Sequence, residues 1–266
     1  MEFKVSSKQR ARIVLVHGVC HGAWCWYKLK PLLEASGHDV TALDLSASGV
    51  DPRSLDDIRT LEDYTKPLLE FMASIPQDEK VVLVGHSMGG LNIAVAMDMY
   101  PEKIGVAVFL SASLPDAKHA PSYVLDVYCE QIPAEEWLDT KFSSIGTPEN
   151  PLTSMLFGPK FISLKLYQLC SPQDVALANM LLRPGSLFLE DLSKKSPFSN
   201  EGFGSVKRVY VVCPEDKAVS VNFQYWQIEN FGVDEVKEIA SADHMVMLSK
   251  PQELCQCLLE ISKNYV

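Results

Sequence analysis

The sequence lacks both long apolar runs and an excess of basic residues. No segment of the 266-residue chain approaches the ~20 continuous apolar residues that span a bilayer, and residues 1–12 contain no apolar signal-peptide core. The formal net charge is -10, and no basic cluster offsets it. This charge argues against binding to nucleic acid or to an anionic membrane. We therefore expect a cytoplasmic protein without nucleic-acid or membrane partners.

Cysteine pairs and metal-ligand motifs are also missing. The seven cysteines are scattered without the spacing of a disulfide framework or a metal site, and no N-glycosylation sequon is present. Cys255 and Cys257 lie in a helix-like tail, where residues two apart face different sides. We expect reduced thiols, and neither a metal nor an organic cofactor.

The chain does contain a repeated alternation of apolar strand-like runs and helix-like segments. Strands are predicted over 12–16, 39–45, 81–84, 105–110, 209–213 and 236–239. Helices are predicted over 24–35, 61–75, 90–100 and 251–265. Continuous apolar strands alternating with helices predict the α/β class, with a mostly parallel central sheet and helices on both of its faces.

Residues from about 115 to 200 interrupt this alternation. They contain helix-like segments separated by Pro, Gly and Ser, over 121–129, 134–142, 161–169, 172–182 and 186–192. Their aromatic and aliphatic side chains need a surface to cover, so we expect a helical cap inserted between strands rather than a linker. Because an α/β chain of this length commonly forms one domain, we predict a single domain over 1–266 that includes the cap.

One serine is predicted at a sharp turn between a strand and a helix. Ser87 is the centre of the motif G-H-S-M-G, which directly follows the third predicted strand and leads into a predicted helix. This pattern in this context is typical of a nucleophile elbow, where a strained turn exposes the hydroxyl near a base and backbone donors. The glycines let the strand and the helix approach closely. We predict that Ser87 is a nucleophile and that His86 packs behind the turn.

Two later loops supply a carboxylate and a histidine in the chain order expected for a serine hydrolase. Asp216 follows the fifth predicted strand, and His244 follows the sixth. We predict that Ser87 attacks, His244 transfers the proton and Asp216 orients the imidazole. Glu215 and Asp243 are alternative carboxylates. Asp243 is disfavoured because neighbouring residues in a chain rarely aim their side chains at each other.

The loop after the first strand is predicted to form part of an oxyanion hole. It reads His17-Gly18-Val19, and we assign the backbone N–H groups of Val19 and Met88 as the two donors. His17 is interpreted as a structural histidine. For His21 two interpretations stay open, because its ring can line a substrate pocket or hold the loop.

Further segments show a resemblance to a known family. The stretches H-G-V-C-H-G-A-W at 17–24, Y-K-L-K-P-L-L-E at 27–34, V-T-A-L-D-L at 40–45 and A-D-H-M at 242–245 accompany the elbow. With them, the chain resembles the plant methylesterase and hydroxynitrile lyase family over essentially its whole length, cap included. The resemblance implies an α/β-hydrolase fold, a small-molecule methyl ester as substrate, no cofactor, and a homodimer.

Two positions beside the reacting groups separate esterases from lyases in that family. Where the lyases have a threonine and a lysine, this chain has Gly18 and Met245. A lyase needs a cation to stabilise the departing cyanide, and the thioether of Met245 cannot supply one. The threonine hydroxyl of the lyases would crowd the space of an acyl oxyanion, whereas Gly18 leaves that space open. The resemblance therefore implies a serine carboxylesterase that acts through an acyl-enzyme. Alternative functions are a hydroxynitrile lyase, a noncatalytic ligand receptor, and hydrolysis followed by decarboxylation.

The resemblance also implies a substrate pocket between the carboxyl end of the sheet and the cap. It places Tyr128 and Trp137 in the lid of this pocket, and Leu182 is an expected apolar wall. Ser113 stands where salicylate-preferring relatives have a phenylalanine, so a roomier pocket is expected. Candidate substrates are methyl salicylate, methyl jasmonate, methyl indole acetate and an alkaloid methyl ester.

Overall fold

The computed structural model describes residues 10–147 and 150–266. Residues 1–9, which form most of the segment predicted to lack a signal-peptide core, lie outside the described residues. In chain order the strands are β1 Arg12–Val16, β2 Asp39–Leu43, β3 Val81–His86, β4 Ile104–Leu110, β5 Lys141–Thr147, β6 Asn150–Leu156, β7 Gly185–Ser186, β8 Arg208–Val212 and β9 Glu235–Glu238. A six-stranded parallel sheet has the order β2-β1-β3-β4-β8-β9.

The helices connect these strands. In chain order they are α1 Leu29–Ala35, α2 Leu61–Ser74, α3 Gly89–Met99, α4 Tyr123–Gln131, α5 Pro159–Phe161, α6 Pro172–Leu181, α7 Leu189–Leu192, α8 Val221–Phe231, α9 Val246–Ser249 and α10 Pro251–Tyr265. Helix α1 packs against α10, and α2 packs against α3. Every residue of β3 is buried. Since successive strand residues point to opposite faces, both faces of the sheet are covered, and the predicted α/β class is confirmed.

Local sequence explains where the central helices begin and end. Helix α2 begins after Thr60, whose hydroxyl accepts from the Asp63 N–H at 3.0 Å while the Asp63 carboxylate accepts from the Thr60 N–H at 3.1 Å. This reciprocal capping box satisfies two backbone donors of the first turn. The helix predicted over 24–35 is wrong as one element. It divides into a 3₁₀ turn, Ala23–Trp26, and α1. Pro31 lies in the first turn of α1, where a missing N–H costs no helical hydrogen bond.

The cap is only partly helical, which corrects the expectation of a helical insertion. Strands β5 and β6 form an antiparallel hairpin, and β7 pairs with β6 to complete a three-stranded sheet. The helix predicted over 134–142 is reduced to a 3₁₀ turn, Ala134–Trp137, before β5 begins. The cap helices α4 and α6 are present, and α6 begins with a capping box at Ser171. The insertion therefore combines helices with a small sheet between β4 and β8.

Within the described residues, no helix is long and apolar enough to cross a membrane. The same part of the chain contains no group of three or more His, Cys, Asp or Glu residues that could hold a metal ion. All seven cysteines are free thiols.

Candidate active site

Ser87 lies at the turn between β3 and α3 with a φ of 56°, a left-handed backbone conformation that side chains rarely adopt. Its backbone is held on two sides. The Ser87 N–H donates to the Leu110 carbonyl at 3.3 Å, and the Ser87 carbonyl accepts from the Ser113 N–H at 2.9 Å. A Cβ on Gly85 would lie 2.6 Å from the Gly89 carbonyl oxygen, so the strand and the helix can only meet this closely without a side chain there. These contacts therefore hold the turn that carries the serine hydroxyl in place.

The ring of His244 is hydrogen-bonded to the carboxylate of Asp216. Nδ1 of His244 lies 2.6 Å from Oδ2 of Asp216, and both side chains are buried. The same Oδ2 accepts from the Ser111 hydroxyl at 2.6 Å, while Oδ1 accepts from the N–H groups of Ala218 at 2.8 Å and Val219 at 2.7 Å. Four donors thus satisfy the buried carboxylate. Because Nδ1 of His244 donates to it, Nε2 is left as the proton acceptor.

The two alternative carboxylates have other surroundings. Asp243 accepts from the Ser249 hydroxyl at 2.6 Å and from the Leu169 N–H at 2.9 Å, and burial raises the pKa of its carboxyl group. Glu215 is exposed. Among the described residues, only Asp216 forms a hydrogen bond with the His244 ring.

His86 supports His244 from the side of the sheet. Its Nε2 lies 2.8 Å from the His244 carbonyl oxygen, and the centroids of the two rings are 4.6 Å apart. Burial lowers the pKa of His86 well below its ordinary value, so the ring is neutral and its Nε2–H donates to the carbonyl. His86 thus fixes the backbone from which the imidazole of His244 extends.

The peptide between Gly18 and Val19 is oriented by two histidines. Nδ1 of His17 lies 2.8 Å from the Gly18 carbonyl oxygen, and the His21 N–H donates to that oxygen at 3.3 Å. Nε2 of His17 accepts from the Leu45 N–H at 3.1 Å, so the ring hydrogen of His17 is on Nδ1. In a trans peptide the C=O and N–H point in opposite directions. Holding the Gly18 carbonyl therefore fixes the direction of the Val19 N–H.

Both predicted oxyanion donors are available. Within residues 10–147 and 150–266, neither the Val19 N–H nor the Met88 N–H donates to another protein group. Met88 is the residue that precedes the first turn of α3, so its N–H lies at the positive end of an 11-residue helix. Val19 and Met88 line the same cavity as Ser87 and His244. These positions suit stabilisation of an oxygen that becomes negative.

Gly18 packs directly against the serine. A Cβ at Gly18 would lie 2.7 Å from the Ser87 Cβ and 3.2 Å from the Ser87 Oγ. A side chain at this position is therefore incompatible with the present spacing between the loop and the elbow.

The cavity beneath the cap is small, with about 40 Å³ of space that the centre of a water molecule can occupy. Aliphatic and aromatic side chains from the cap form much of its wall. Ser87 and His244 both line it, and no hydrogen bond joins the Ser87 hydroxyl to the His244 ring in the described part of the chain. Hydrogen bonds of this kind are often long before a substrate tightens them. The cavity thus brings a hydroxyl, an imidazole and two free N–H groups together around an apolar space.

The predicted pocket residues divide into two groups. Ser113, Tyr128 and Trp137 line the cavity, and the Tyr128 hydroxyl donates to the Ala218 carbonyl at 3.0 Å. Four others do not line it, namely Gly18, His21, Leu182 and Met245. Met245 is fully buried.

His21 holds the loop instead of lining the pocket, which decides between its two open interpretations. Nδ1 of His21 lies 2.9 Å from the Val19 carbonyl oxygen, Nε2 lies 2.8 Å from the Tyr167 hydroxyl, and the ring stacks on Trp24. Burial lowers the pKa of His21 to about 3. The ring is therefore neutral and behind the cavity wall.

Ser111, which donates to Asp216, and Gln227, which lines the cavity, were missed from the sequence. His17 has the structural role expected of it, because it orients the Val19 peptide. The available signal for Ser111 is a small polar residue at the end of β4. Its significance depends on β4 lying next to β8, the strand before Asp216.

Comparisons with known proteins agree with this geometry. The model of the alpha/beta hydrolase family matches residues 13–256. The chain is 62% identical to salicylic acid-binding protein 2 from Nicotiana tabacum, over 97% of this chain and 99% of that protein. It is 55% identical to methylesterase 1 from Arabidopsis thaliana, over 97% of this chain and 98% of that protein.

A third relative has a crystal structure. Polyneuridine aldehyde esterase from Rauvolfia serpentina is 58% identical over 99% of this chain and 100% of that protein. A crystal structure of polyneuridine aldehyde esterase superposes with a TM-score of 0.94 at 59% identity, covering 96% of this chain and 100% of that chain. The chain therefore belongs to the alpha/beta hydrolase family, in its group of plant methylesterases, and is a carboxylic ester hydrolase.

Proposed function

We propose that this chain hydrolyses methyl esters of small, largely apolar carboxylic acids through an acyl-enzyme on Ser87. One observation carries the proposal: an elbow serine shares an apolar cavity with the buried His244–Asp216 pair. The relatives named as methylesterase and polyneuridine aldehyde esterase support an ester as the substrate class.

Each step has a group suited to it. In acylation, Nε2 of His244 accepts the proton of the Ser87 hydroxyl as the oxygen attacks the ester carbonyl. The N–H groups of Val19 and Met88 stabilise the carbonyl oxygen as it becomes negative, and one such donor contributes about 3 kcal/mol to lowering the barrier. The imidazolium of His244, stabilised by Asp216, then protonates departing methanol.

Deacylation repeats the same transfers with water as the nucleophile. Nε2 of His244 accepts a proton from water, the resulting tetrahedral intermediate expels Ser87, and the serine oxygen recovers its proton from the imidazolium. The products are methanol and the free acid. These transfers use only side chains and backbone donors of the chain.

Two features argue against a hydroxynitrile lyase. Met245 is buried away from the cavity and carries no charge, so it cannot stabilise a leaving cyanide. A threonine side chain at Gly18 would collide with Ser87 in the present arrangement. The lyase therefore remains the weaker candidate.

A panel of purified-enzyme assays tests the proposal. Methyl salicylate, methyl jasmonate, methyl indole acetate, an alkaloid methyl ester and mandelonitrile are each supplied, with methanol, free acid, carbon dioxide and cyanide measured as products. We expect equal amounts of methanol and acid from at least one ester. Cyanide without methanol contradicts the proposal, and carbon dioxide identifies decarboxylation after hydrolysis.

The matched variants are Ser87→Ala and Ser122→Ala. Ser122 is a buried serine next to the start of α4 and outside the cavity wall. We expect Ser87→Ala to lose hydrolysis of p-nitrophenyl acetate by roughly 10⁴-fold or more, while Ser122→Ala stays near wild type. Activity of Ser87→Ala within tenfold of wild type contradicts Ser87 as the nucleophile.

A further inference from the structure

A tyrosine of the cap is hydrogen-bonded to the loop that carries an oxyanion donor. Tyr167 follows the π-helical turn Ile162–Leu166 of the cap, and its hydroxyl lies 2.8 Å from Nε2 of His21. His21 belongs to the loop after β1, which also contains Val19. Tyr167 lies outside the described wall of the cavity, so it does not touch the substrate there. Any effect of its hydroxyl on the reaction must therefore pass through His21.

The direction of each hydrogen bond around His21 follows from its partners. Nδ1 of His21 lies 2.9 Å from the Val19 carbonyl oxygen, which can only accept, so the ring hydrogen is on Nδ1. Burial lowers the pKa of His21 to about 3, so the ring is neutral and Nε2 carries no hydrogen. Burial also raises the pKa of Tyr167 well above its ordinary value, and the hydroxyl keeps its proton. The Tyr167 hydroxyl therefore donates to Nε2, and the ring donates onward to Val19.

His21 holds the peptide groups on both sides of Val19. Its ring donates to the Val19 carbonyl, and its backbone N–H donates to the Gly18 carbonyl at 3.3 Å. The Val19 N–H belongs to the same peptide as the Gly18 carbonyl and points in the opposite direction. The Tyr167 hydroxyl holds the ring of His21, and this ring holds Val19. A shift of the ring therefore moves the oxyanion donor.

The residues after Tyr167 fix the cap against the other catalytic loops. The side chain of Gln168 donates to the Glu215 carbonyl, in the loop of the catalytic carboxylate. The Leu169 N–H donates to the Asp243 carboxylate at 2.9 Å, in the loop of the catalytic histidine. Three consecutive residues of the cap thus contact the loops of an oxyanion donor, the carboxylate and the base. These contacts hold the Tyr167 hydroxyl at a constant place relative to the groups that react.

We infer that Tyr167 is a positioning residue for ester hydrolysis, which acts through His21 to keep the Val19 N–H directed at the oxyanion. Loss of the hydroxyl leaves Nε2 of His21 without its donor, and a buried hydrogen bond of this kind is worth about threefold to tenfold in rate. Complete loss of an oxyanion donor costs about 10²-fold to 10³-fold, so the loosened donor keeps part of its effect. The inference rests on the proposed function and adds a cap residue to the groups that support it.

Tyr167→Phe removes the hydroxyl and keeps the ring. The assay compares p-nitrophenyl acetate with p-nitrophenyl thionoacetate, in which the negative charge develops on sulfur, a weak acceptor for N–H donors. We expect Tyr167→Phe to lower kcat/KM for the oxygen ester by about threefold to tenfold. The thionoester should change by less than about twofold, because it gains little from the Val19 N–H. Urea unfolding establishes that each variant is folded under the assay conditions.

Two controls separate positioning of the oxyanion donor from other losses. Tyr64→Phe removes another buried tyrosine hydroxyl, which is hydrogen-bonded to the Ser48 hydroxyl at 2.9 Å and lies outside the described cavity wall. We expect it to leave both substrates near wild type. Ser111→Ala acts through Asp216 on His244, so it should lower kcat/KM for both esters by the same factor.

A second variant tests the route through His21. His21→Phe removes the ring donor to Val19 and should also lower kcat/KM for the oxygen ester more than for the thionoester. Once the acceptor of the Tyr167 hydroxyl is gone, adding Tyr167→Phe should change kcat/KM by less than about twofold. Effects of the two substitutions that multiply would contradict the route, as would equal losses for both esters in His21→Phe.

The outcomes separate the inference from the proposed function. If Tyr167→Phe leaves kcat/KM for the oxygen ester unchanged, or lowers it for both esters equally, the positioning role is wrong and ester hydrolysis stands. If the wild-type enzyme hydrolyses neither ester, the proposed function itself is wrong and the positioning role falls with it. A loss selective for the oxygen ester that disappears in the His21→Phe background supports the role of Tyr167.

Discussion

The substitution Gly18→Ala tests the packing of the oxyanion loop against the serine. An added Cβ would lie 2.7 Å from the Ser87 Cβ and 3.2 Å from both the Ser87 Oγ and the His86 carbonyl oxygen. Ordinary carbon–carbon contacts are about 3.5–4.0 Å, so one of the two segments must move by about 1 Å. Ser87 is held by hydrogen bonds at its N–H and its carbonyl, and glycines close the elbow behind it. The loop is therefore the segment that moves.

Movement of the loop displaces the Val19 N–H, because this N–H belongs to the peptide that follows Gly18. Loss of one oxyanion donor lowers kcat by about 10²-fold to 10³-fold, and a misplacement of 1 Å has a similar effect. We therefore expect Gly18→Ala to lower kcat by roughly 10²-fold with a small change in KM. Crowding of this kind also lowers the free energy of unfolding by about 1–3 kcal/mol.

The control is Gly204→Ala, where the nearest atoms lie 3.4–3.5 Å from the added Cβ and no cavity residue is involved. Steady-state hydrolysis of p-nitrophenyl acetate gives kcat and KM, and urea unfolding gives the stability of each variant. We expect Gly204→Ala to resemble wild type in both measurements. A Gly18→Ala enzyme that is folded and retains kcat within threefold of wild type would falsify the packing argument.

Three further predictions concern the residues around His244 and the buried histidines. Asp216→Asn should lower kcat by about 10⁴-fold because the His244 tautomer is no longer fixed, whereas Asp243→Asn should change kcat by less than about tenfold. A larger loss in Asp243→Asn than in Asp216→Asn would refute the assignment of Asp216 as the carboxylate that orients His244. Ser111→Ala should lower kcat about tenfold with KM unchanged, since the Asp216 carboxylate loses a charge-assisted hydrogen bond, and an unchanged kcat excludes Ser111 as a positioning residue. Burial lowers the pKa values of His17, His21 and His86, so below pH 6.5 the unfolded state binds protons that the folded state does not. The free energy of unfolding should therefore fall between pH 7 and pH 5, and His21, with its pKa of about 3, should contribute roughly 2 kcal/mol of this fall. Urea unfolding at both pH values checks the assignment through a smaller fall in His21→Phe.

The middle of the central sheet could be predicted from the sequence because its strands are continuous apolar runs. Strands β1, β3 and β4 are buried on both faces, so nearly every position of each carries an apolar residue. The cap hairpin had no such signal. Most residues of β5 are exposed, and its sequence K-F-S-S-I-G-T shows no alternation of buried and exposed positions. Its strand conformation depends on pairing with β6, which a local pattern cannot reveal.

The site residues whose positions follow from chain order and strand ends could be predicted from the sequence. The residues whose roles depend on neighbouring strands could not. Ser87, Asp216 and His244 each follow a strand that the sequence indicates. The role of Ser111 depends on its position next to the Asp216 loop. This position could be recognised only once the order of the strands in the sheet was known. His21 could not be assigned from the sequence, because the loop hydrogen bond and the stacking on Trp24 involve the folded path of the loop. The expected homodimer and cytoplasmic location stay predictions.

Covalent labelling with a fluorophosphonate tests the central claim most directly, because such a reagent reacts with a serine hydroxyl only where a base and oxyanion donors activate it. We predict one label per chain, located on Ser87 by peptide mass spectrometry, with ester hydrolysis lost in proportion to labelling and labelling itself suppressed in His244→Ala. Full loss of hydrolysis with the label on another residue, or hydrolysis that persists in fully labelled enzyme, would contradict the account.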